Sequence, residues 1–245
     1  MVKKQLSVVL PPEKLEELKK FLLKSGGHEL ARKNEYEEFR MSVDDRILIA
    51  YSTGTIVFHE ELADLISEMF TGLGTRVGID EVGKGEAEGP LVVCAVALDD
   101  EGRKKAVSAG LVESKMARIE KIEEIAEKIR KAALAVGTVV VSPEEFKKVW
   151  KRGNLNDLLA RWHAKALESV ICSIGRADAV IVDSFDEKRL RKELSHMVDS
   201  LGAKLILENG ADRRYLEVAA ASVIASAFRE RLMKEGMRLR KWGTS

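Results

Sequence analysis

The sequence predicts an α/β protein in two parts: a small α+β unit over residues 1–70 and a larger unit over 77–245, joined by a linker at 71–76. Two observations carry this. The first seventy residues alternate short strands with two helices and end at "TGLGTR" (71–76), a glycine-bearing hinge. From Val77 the strands become fully apolar and are separated by helices. That pattern belongs to a partly parallel sheet covered on both faces.

The small unit opens with a strand, "QLSVVL". "PEKLEELKKFLLKSGG" follows as a helix, with Pro12 near its first turn and Gly26 and Gly27 ending it. "EYEEFRMSV", "RILIAYS" and "TIVFH" read as three strands, broken by turn signals at Asp44-Asp45 and Thr53-Gly54. "EELADLISEMF" closes the unit as a helix. In the larger unit "VGIDE" and "PLVVCAVAL" are paired strands joined by a glycine-rich turn. An amphipathic helix, "KMARIEKIEEIAEKIRKA", leads to a third strand, "VGTVVVS". "PEEFKKVW" and "LNDLLARWHAKALESVI" are helices. "ADAVIVDS" and "AKLILEN" are two more strands, with the helix "DEKRLRKELSHMV" between them. "YLEVAAASVIASAFRERLMKE" is the long final helix.

Apolar residues make up 45% and charged residues 33%, the balance of a soluble globular protein with a proper core. No run approaches a membrane span, and the N-terminus lacks a long apolar segment, so a cytoplasmic monomer is expected. Cys94 and Cys172 lie far apart in apolar surroundings and read as buried free thiols. His28, His59, His163 and His196 form no metal-ligand spacing and read as surface or packing residues. Trp150 and Trp162, on helices, read as packing. Residues 1–70 carry 10 basic and 13 acidic residues, a net of −3, against +4 for the rest. A polyanion partner would therefore need a local basic face.

The chemistry concentrates in "GIDEVGKGEAEGP" (78–90), where Asp80 and Glu81 adjoin before a glycine-rich turn. With Asp183 and Asp212 they fall at strand ends or just beyond, where open α/β sheets form sites. Any one of these acids alone reads most simply as a turn residue or helix cap. Several in one pocket repel each other unless a cation neutralises them, and oxygen ligands select Mg²⁺ or Mn²⁺ ahead of zinc. Both Asp80 and Glu81 are expected to face one site because the strand ends there, with Gly83 and Gly85 letting the backbone bend and approach a ligand.

Four segments in order resemble the type 2 ribonuclease H family over nearly everything from Val77 onward. "GIDEVGKGEAEGPLVVCAV" is similar to the family's opening motif, whose Asp and Glu ligate metal, and maps them to Asp80 and Glu81. "VESKM" resembles its Asp-Ser-Lys segment, making Ser114 and Lys115 candidate phosphate contacts. "AVIVDSF" resembles the segment of the third acid, Asp183. "NGADRRYLEVAAASVIAS" resembles the segment whose acid precedes an Ala-Ala-Ser helix, here Ala220, Ala221 and Ser222; Asp212 has the matching offset, with Glu208 and Glu217 as alternatives.

Within that family "NLNDLLARWHAKAL" and "VDSF" look most like ribonuclease HIII, and "AYSTGTIVFHEE" is similar to the TATA-binding-protein-like domain of those enzymes. The resemblance implies a mixed five-stranded sheet flanked by helices, and a small N-terminal domain that helps hold substrate. It implies hydrolysis of the RNA strand of RNA/DNA hybrids with two divalent ions, Mg²⁺ or Mn²⁺, leaving 3′-hydroxyl and 5′-phosphate ends. Asp80, Glu81, Asp183 and Asp212 would be the metal ligands; Gly83, Lys84 and Gly85 would contact substrate. Ribonuclease HII usually has Gly-Arg-Gly at that turn, where this chain has Gly83-Lys84-Gly85. The alternatives are a ribonuclease HII acting at single ribonucleotides in DNA, and a nucleic-acid-binding module whose acids are structural.

Overall fold

The computed structural model describes residues 5–10, 12–86, 89–111, 119–150 and 155–236. The chain divides into two compact units, Met1–Thr71 and Gly72–Ser245. Ser114, Lys115 and Trp242 lie outside the described residues, as does the side chain of Trp150.

The first unit runs β1 (Gln5–Val9), α1 (Leu15–Lys24), β2 (His28–Leu30), β3 (Glu37–Val43), β4 (Arg46–Tyr51), β5 (Thr55–His59) and α2 (Ala63–Ser67). Its sheet is antiparallel throughout, in the order β1-β5-β4-β3-β2. Alternation and register build its core. Leu6 and Leu48 both pair with Phe58, Val8 and Ala50 both pair with Ile56, and Met41 pairs with Leu48, so one face is apolar. Leu15, Leu18 and Leu22 of α1 are buried as well. Asp44 and Asp45 turn the β3–β4 hairpin with φ of 47° and 58°, the left-handed turn that Asp tolerates.

Two details differ from expectation. β2 is an extra edge strand, too short and polar to show a strand pattern. The final helix is only five residues of α-helix between two 3₁₀ turns, Glu60–Leu62 and Glu68–Phe70. Arg40, a basic residue of this unit, is held within the fold. It is buried, and its guanidinium binds both oxygens of Glu37 at 3.0 and 2.6 Å.

The second unit runs β6 (Arg76–Val82), β7 (Leu91–Leu98), α3 (Asp100–Ser108), α4 (Ile119–Ala132), β8 (Ala135–Val141), α5 (Pro143–Trp150), α6 (Leu155–Ile174), β9 (Ala179–Asp183), α7 (Glu187–Ser200), β10 (Lys204–Glu208) and α8 (Leu216–Lys234). The sheet order is β10-β9-β6-β7-β8. β10, β9 and β6 are parallel to one another, while β7 and β8 are antiparallel additions. The fold is therefore the expected mixed five-stranded sheet flanked by helices.

Each face has its own cover. Val77, Ile79, Val93, Ala95, Val180 and Val182 meet Leu159, Trp162, Ala166 and Leu167 of α6 and Leu190 and Leu194 of α7. Trp162 is thus a core residue. On the opposite face Ala179 and Ile181 meet Val218 of α8. α3 was not foreseen. Its sequence "DEGRKKAVS" has no apolar stripe, but Asp99 caps it by accepting from the Gly102 N–H at 2.7 Å. Cys94 is buried, as expected, whereas Cys172 is exposed. Among the described residues no helix is long and apolar enough to cross a membrane.

Candidate active site

β6 does not end at the paired acids. It stays in register with β7 through Val82, with Asp80 opposite Cys94 and Glu81 opposite Val93. Strand alternation therefore sends the two side chains to opposite faces, correcting the expectation that both turn into one side. Asp80 leaves on the α8 face and accepts a hydrogen bond from the Ser222 hydroxyl. Glu81 leaves on the α6 face, where its Oε2 lies 3.2 Å from Nε2 of His163.

The sites of the two acids still communicate at the end of the sheet. β9 pairs with β6 as far as Ile79 and Val182, so Asp80 and Asp183 follow at the same end of adjacent parallel strands. Asp80 is buried, and burial is the main cause that pushes its pKa up to about 7. The charges of Glu81 and Asp183 push it further, and the Ser222 bond opposes them. Asp183 is also raised, by burial first, with Asp212 and Glu81 adding repulsion. Its Oδ1 accepts from the N–H groups of Gly210 and Ala211 at 2.6 and 3.2 Å, which opposes the rise. Those two bonds tie Asp183 to the 3₁₀ turn Ala211–Arg213 that carries Asp212.

The two alternative acids are occupied elsewhere. Glu208 accepts from Arg214 at 2.8 Å and from the Tyr215 hydroxyl at 2.9 Å. Glu217 is buried and paired with the fully buried Arg103 at 2.8 Å. Arg103 also donates to the carbonyls of Leu98 and Gly74, so this pair joins α3 and α8 to the end of β7 and the segment before β6.

Gly83 has φ of 95°, and a Cβ there would stand 2.7 Å from the Pro90 carbonyl oxygen, so this position requires glycine. Gly85 has no positive φ, and among the described residues nothing lies within 4 Å of a Cβ there, which removes the conformational argument for it. Arg229 of α8 braces the turn, donating to the Pro90 carbonyl at 3.0 Å and pairing with Glu86 at 2.8 Å. Between them Lys84 places its ammonium 3.6 Å from Glu81 Oε1 and 4.1 Å from the centre of the Phe185 ring.

Of the surface or packing roles expected for His163, the structure gives the buried one: the ring is fully enclosed, with Glu81 beside it. The available signal was helical phase: His163 follows Leu159 and precedes Leu167 at intervals of four, a polar ring on an apolar stripe.

The donor chemistry fits a hard divalent cation. Neighbouring carboxylates from three segments help raise the pKa values of Asp80 and Asp183, the repulsion such an ion relieves. Among the described residues no three acidic, histidine or cysteine side chains are grouped closely enough to hold an ion in this arrangement. The fit is thus one of charge and donor type.

Comparisons with known proteins agree with this architecture. The family model "Ribonuclease HII" matches residues 77–243. Ribonuclease HII of Archaeoglobus fulgidus is 36% identical over 158 residues, covering 64% of this chain and 72% of that protein. Ribonuclease HIII of Streptococcus thermophilus is 29% identical over 224 residues, covering 83% of this chain and 74% of that protein. The crystal structure of Bst-RNase HIII in complex with Mn²⁺ superposes with a TM-score of 0.62 at 22% identity, covering 95% of this chain and 82% of that one. Its likeness bears on the fold alone, and it extends over both units. With the family model matching most of its length and carboxylates toward the same end of adjacent parallel strands, this chain belongs to the ribonuclease HII family, the type 2 ribonucleases H, and is an endonuclease that hydrolyses RNA.

Proposed function

We propose that this enzyme cuts the RNA strand of RNA/DNA hybrids, leaving 3′-hydroxyl and 5′-phosphate ends, with the substrate preference of ribonuclease HIII. The observation that carries the reading is the crowding of Asp80, Glu81, Asp183 and Asp212, whose like charges act on one another at the end of one sheet. Asp80 and Asp183 would be central ligands of two divalent ions, Mg²⁺ or Mn²⁺, with Glu81 and Asp212 completing the set. When bound, the ions supply activation of the attacking water and charge stabilisation at the leaving 3′ oxygen. The protein's own residues orient and hold. Ser222 fixes the Asp80 carboxylate, and the Gly210 and Ala211 N–H groups fix that of Asp183. The Gly83-Lys84-Gly85 turn would meet the backbone of the hybrid, sensing the 2′-hydroxyl that separates RNA from DNA. Ser114 and Lys115 would add phosphate contacts.

The first unit would bind the hybrid without reading its sequence, as a TATA-binding-protein-like domain. The span of the Streptococcus relative and of the Bst-RNase HIII fold over both units supports this assignment. The enzyme would act as a cytoplasmic monomer. Metal-dependent cleavage of an end-labelled hybrid, with the RNA strand alone and the DNA duplex as controls, tests the reading. Absence of cleavage with both Mg²⁺ and Mn²⁺ overturns it.

A second reading, incision at single ribonucleotides in DNA, draws on a specific observation. The catalytic unit is 36% identical to an archaeal ribonuclease HII, above the 29% shared with the Streptococcus ribonuclease HIII over the longer span.

A further inference from the structure

We propose that His163 is a positioning residue that fixes the Glu81 carboxylate for ion binding, an inference that rests on reading Glu81 as a metal ligand. α6 sets the imidazole into the core beside Leu159, Trp162, Ala166 and Leu167, with no solvent exposure. A polar ring there is costly unless its nitrogens are used. Nδ1 is used: it lies 2.9 Å from the Leu159 carbonyl oxygen. A carbonyl only accepts, so Nδ1 carries hydrogen and Nε2 is left over. Nε2 is enclosed, has no hydrogen-bond partner among the described residues, and has Glu81 Oε2 at 3.2 Å. At that separation the enclosed edge of the imidazole bounds the position of one Glu81 oxygen.

The surroundings give the contact a direction. Phe185, two residues beyond Asp183, packs on the imidazole with ring centres 5.3 Å apart and planes at 58°. The Lys84 ammonium lies against the same Phe185 ring and faces the other Glu81 oxygen, Oε1. The two oxygens of Glu81 are therefore held differently. Oε2 meets a buried ring that cannot move away; Oε1 meets a lysine one-third exposed on a turn. His163 thus sets the carboxylate's orientation from inside the protein, leaving Oε1 as the oxygen whose partner can exchange. Partners of this kind behind a ligand typically matter about 10–100-fold in metal affinity.

The test uses the full chain and reads Mn²⁺ binding by calorimetry, beside cleavage of a hybrid. His163→Asn keeps an amide at the Nδ1 position and the Leu159 bond, but cannot reach Glu81. His163→Gln carries an amide N–H to the Nε2 position. His163→Phe fills the volume with no polar atom, and a folded state is checked for each by circular dichroism. The expected result is Mn²⁺ affinity lowered about 10–100-fold in the Asn and Phe variants and largely kept in the Gln variant. The KM for hybrid at saturating Mn²⁺ should stay unchanged. On a Glu81→Gln background, His163→Asn should cost little more, because its effect runs through Glu81. Wild-type affinity in the folded Asn and Phe variants overturns the positioning role, as does an undiminished loss on the Glu81→Gln background. Unchanged Mn²⁺ affinity in Glu81→Gln itself overturns the ligand reading of Glu81, and this inference with it.

Discussion

The Glu217 backbone passes so close to Gly78 that a Cβ on residue 78 would stand 2.1 Å from the Glu217 carbonyl carbon. Gly78 lies two residues before Asp80 on β6, and Glu217 lies five before Ser222 on α8. The missing side chain lets the helix come down onto the strand and deliver the serine to the aspartate. Gly78→Ala should therefore destabilise the protein by about 1–3 kcal/mol, the range for overpacking, because backbone rather than a flexible side chain must give way. Denaturant unfolding measures the loss. Unchanged stability would mean that α8 can retreat freely.

The raised Asp80 pKa makes a prediction for the metal-free protein. In the unfolded chain this group titrates near its ordinary 3.8, but in the fold near about 7. Between those values the native state holds more protons than the unfolded one, so stability falls as pH rises across that window. The sign is opposite to that of a salt-bridged aspartate. Asp80→Asn removes the buried charge, so it should raise the melting temperature of chelator-treated protein at pH 8 and leave little difference near pH 4. A destabilised Asn variant at pH 8 would show that Asp80 is held charged by favourable contacts instead.

Much of the fold was legible because the signals were local. The five strands of the larger sheet are largely apolar runs bounded by helices or by the glycine-rich turn, and each was found. α3 was missed because Arg103 holds it from below through Leu98, Gly74 and Glu217, partners spread across the chain. The acids at strand ends were equally legible, but the direction each faces was not. That depended on β6 continuing to Val82, which is settled by pairing with β7. The Glu81–His163 contact spans two elements far apart in sequence, so no motif spacing could disclose it. Arg40 shows the converse case: a cation countable in sequence but consumed by Glu37 in the fold.

The fourth acid can be identified by substitution. Asp183→Asn preserves shape but removes a charge, so hydrolysis should fall by orders of magnitude while hybrid binding is retained or improved. Asp212→Asn should also lower activity, because Asp212 acts on Asp183 directly. Glu208→Gln should be near neutral for chemistry, since Arg214 and Tyr215 already occupy that carboxylate. Single-turnover rates at saturating Mn²⁺ check all three. A larger loss for Glu208→Gln than for Asp212→Asn would reverse the assignment.

The proposed substrate preference makes a prediction that rests on Lys84. Its ammonium sits between Glu81 Oε1 and the Phe185 ring, as a compact point charge on a short turn. An arginine at this position would offer a planar fork of donors able to grip two acceptors at once; lysine cannot reproduce that contact. The arginine usual at this turn in ribonuclease HII implies such local, multi-donor reading where one ribonucleotide is followed by DNA. A continuous hybrid needs less, because its backbone can be engaged over several nucleotides. The enzyme should therefore cut efficiently within a run of ribonucleotides and poorly at a single embedded one. Two labelled duplexes of equal length, one of each kind, compared at the same metal and salt concentration, give the answer. Comparable rates, with incision on the 5′ side of the lone ribonucleotide, would place its specificity with ribonuclease HII, and Lys84 would then have to be sufficient for junction recognition.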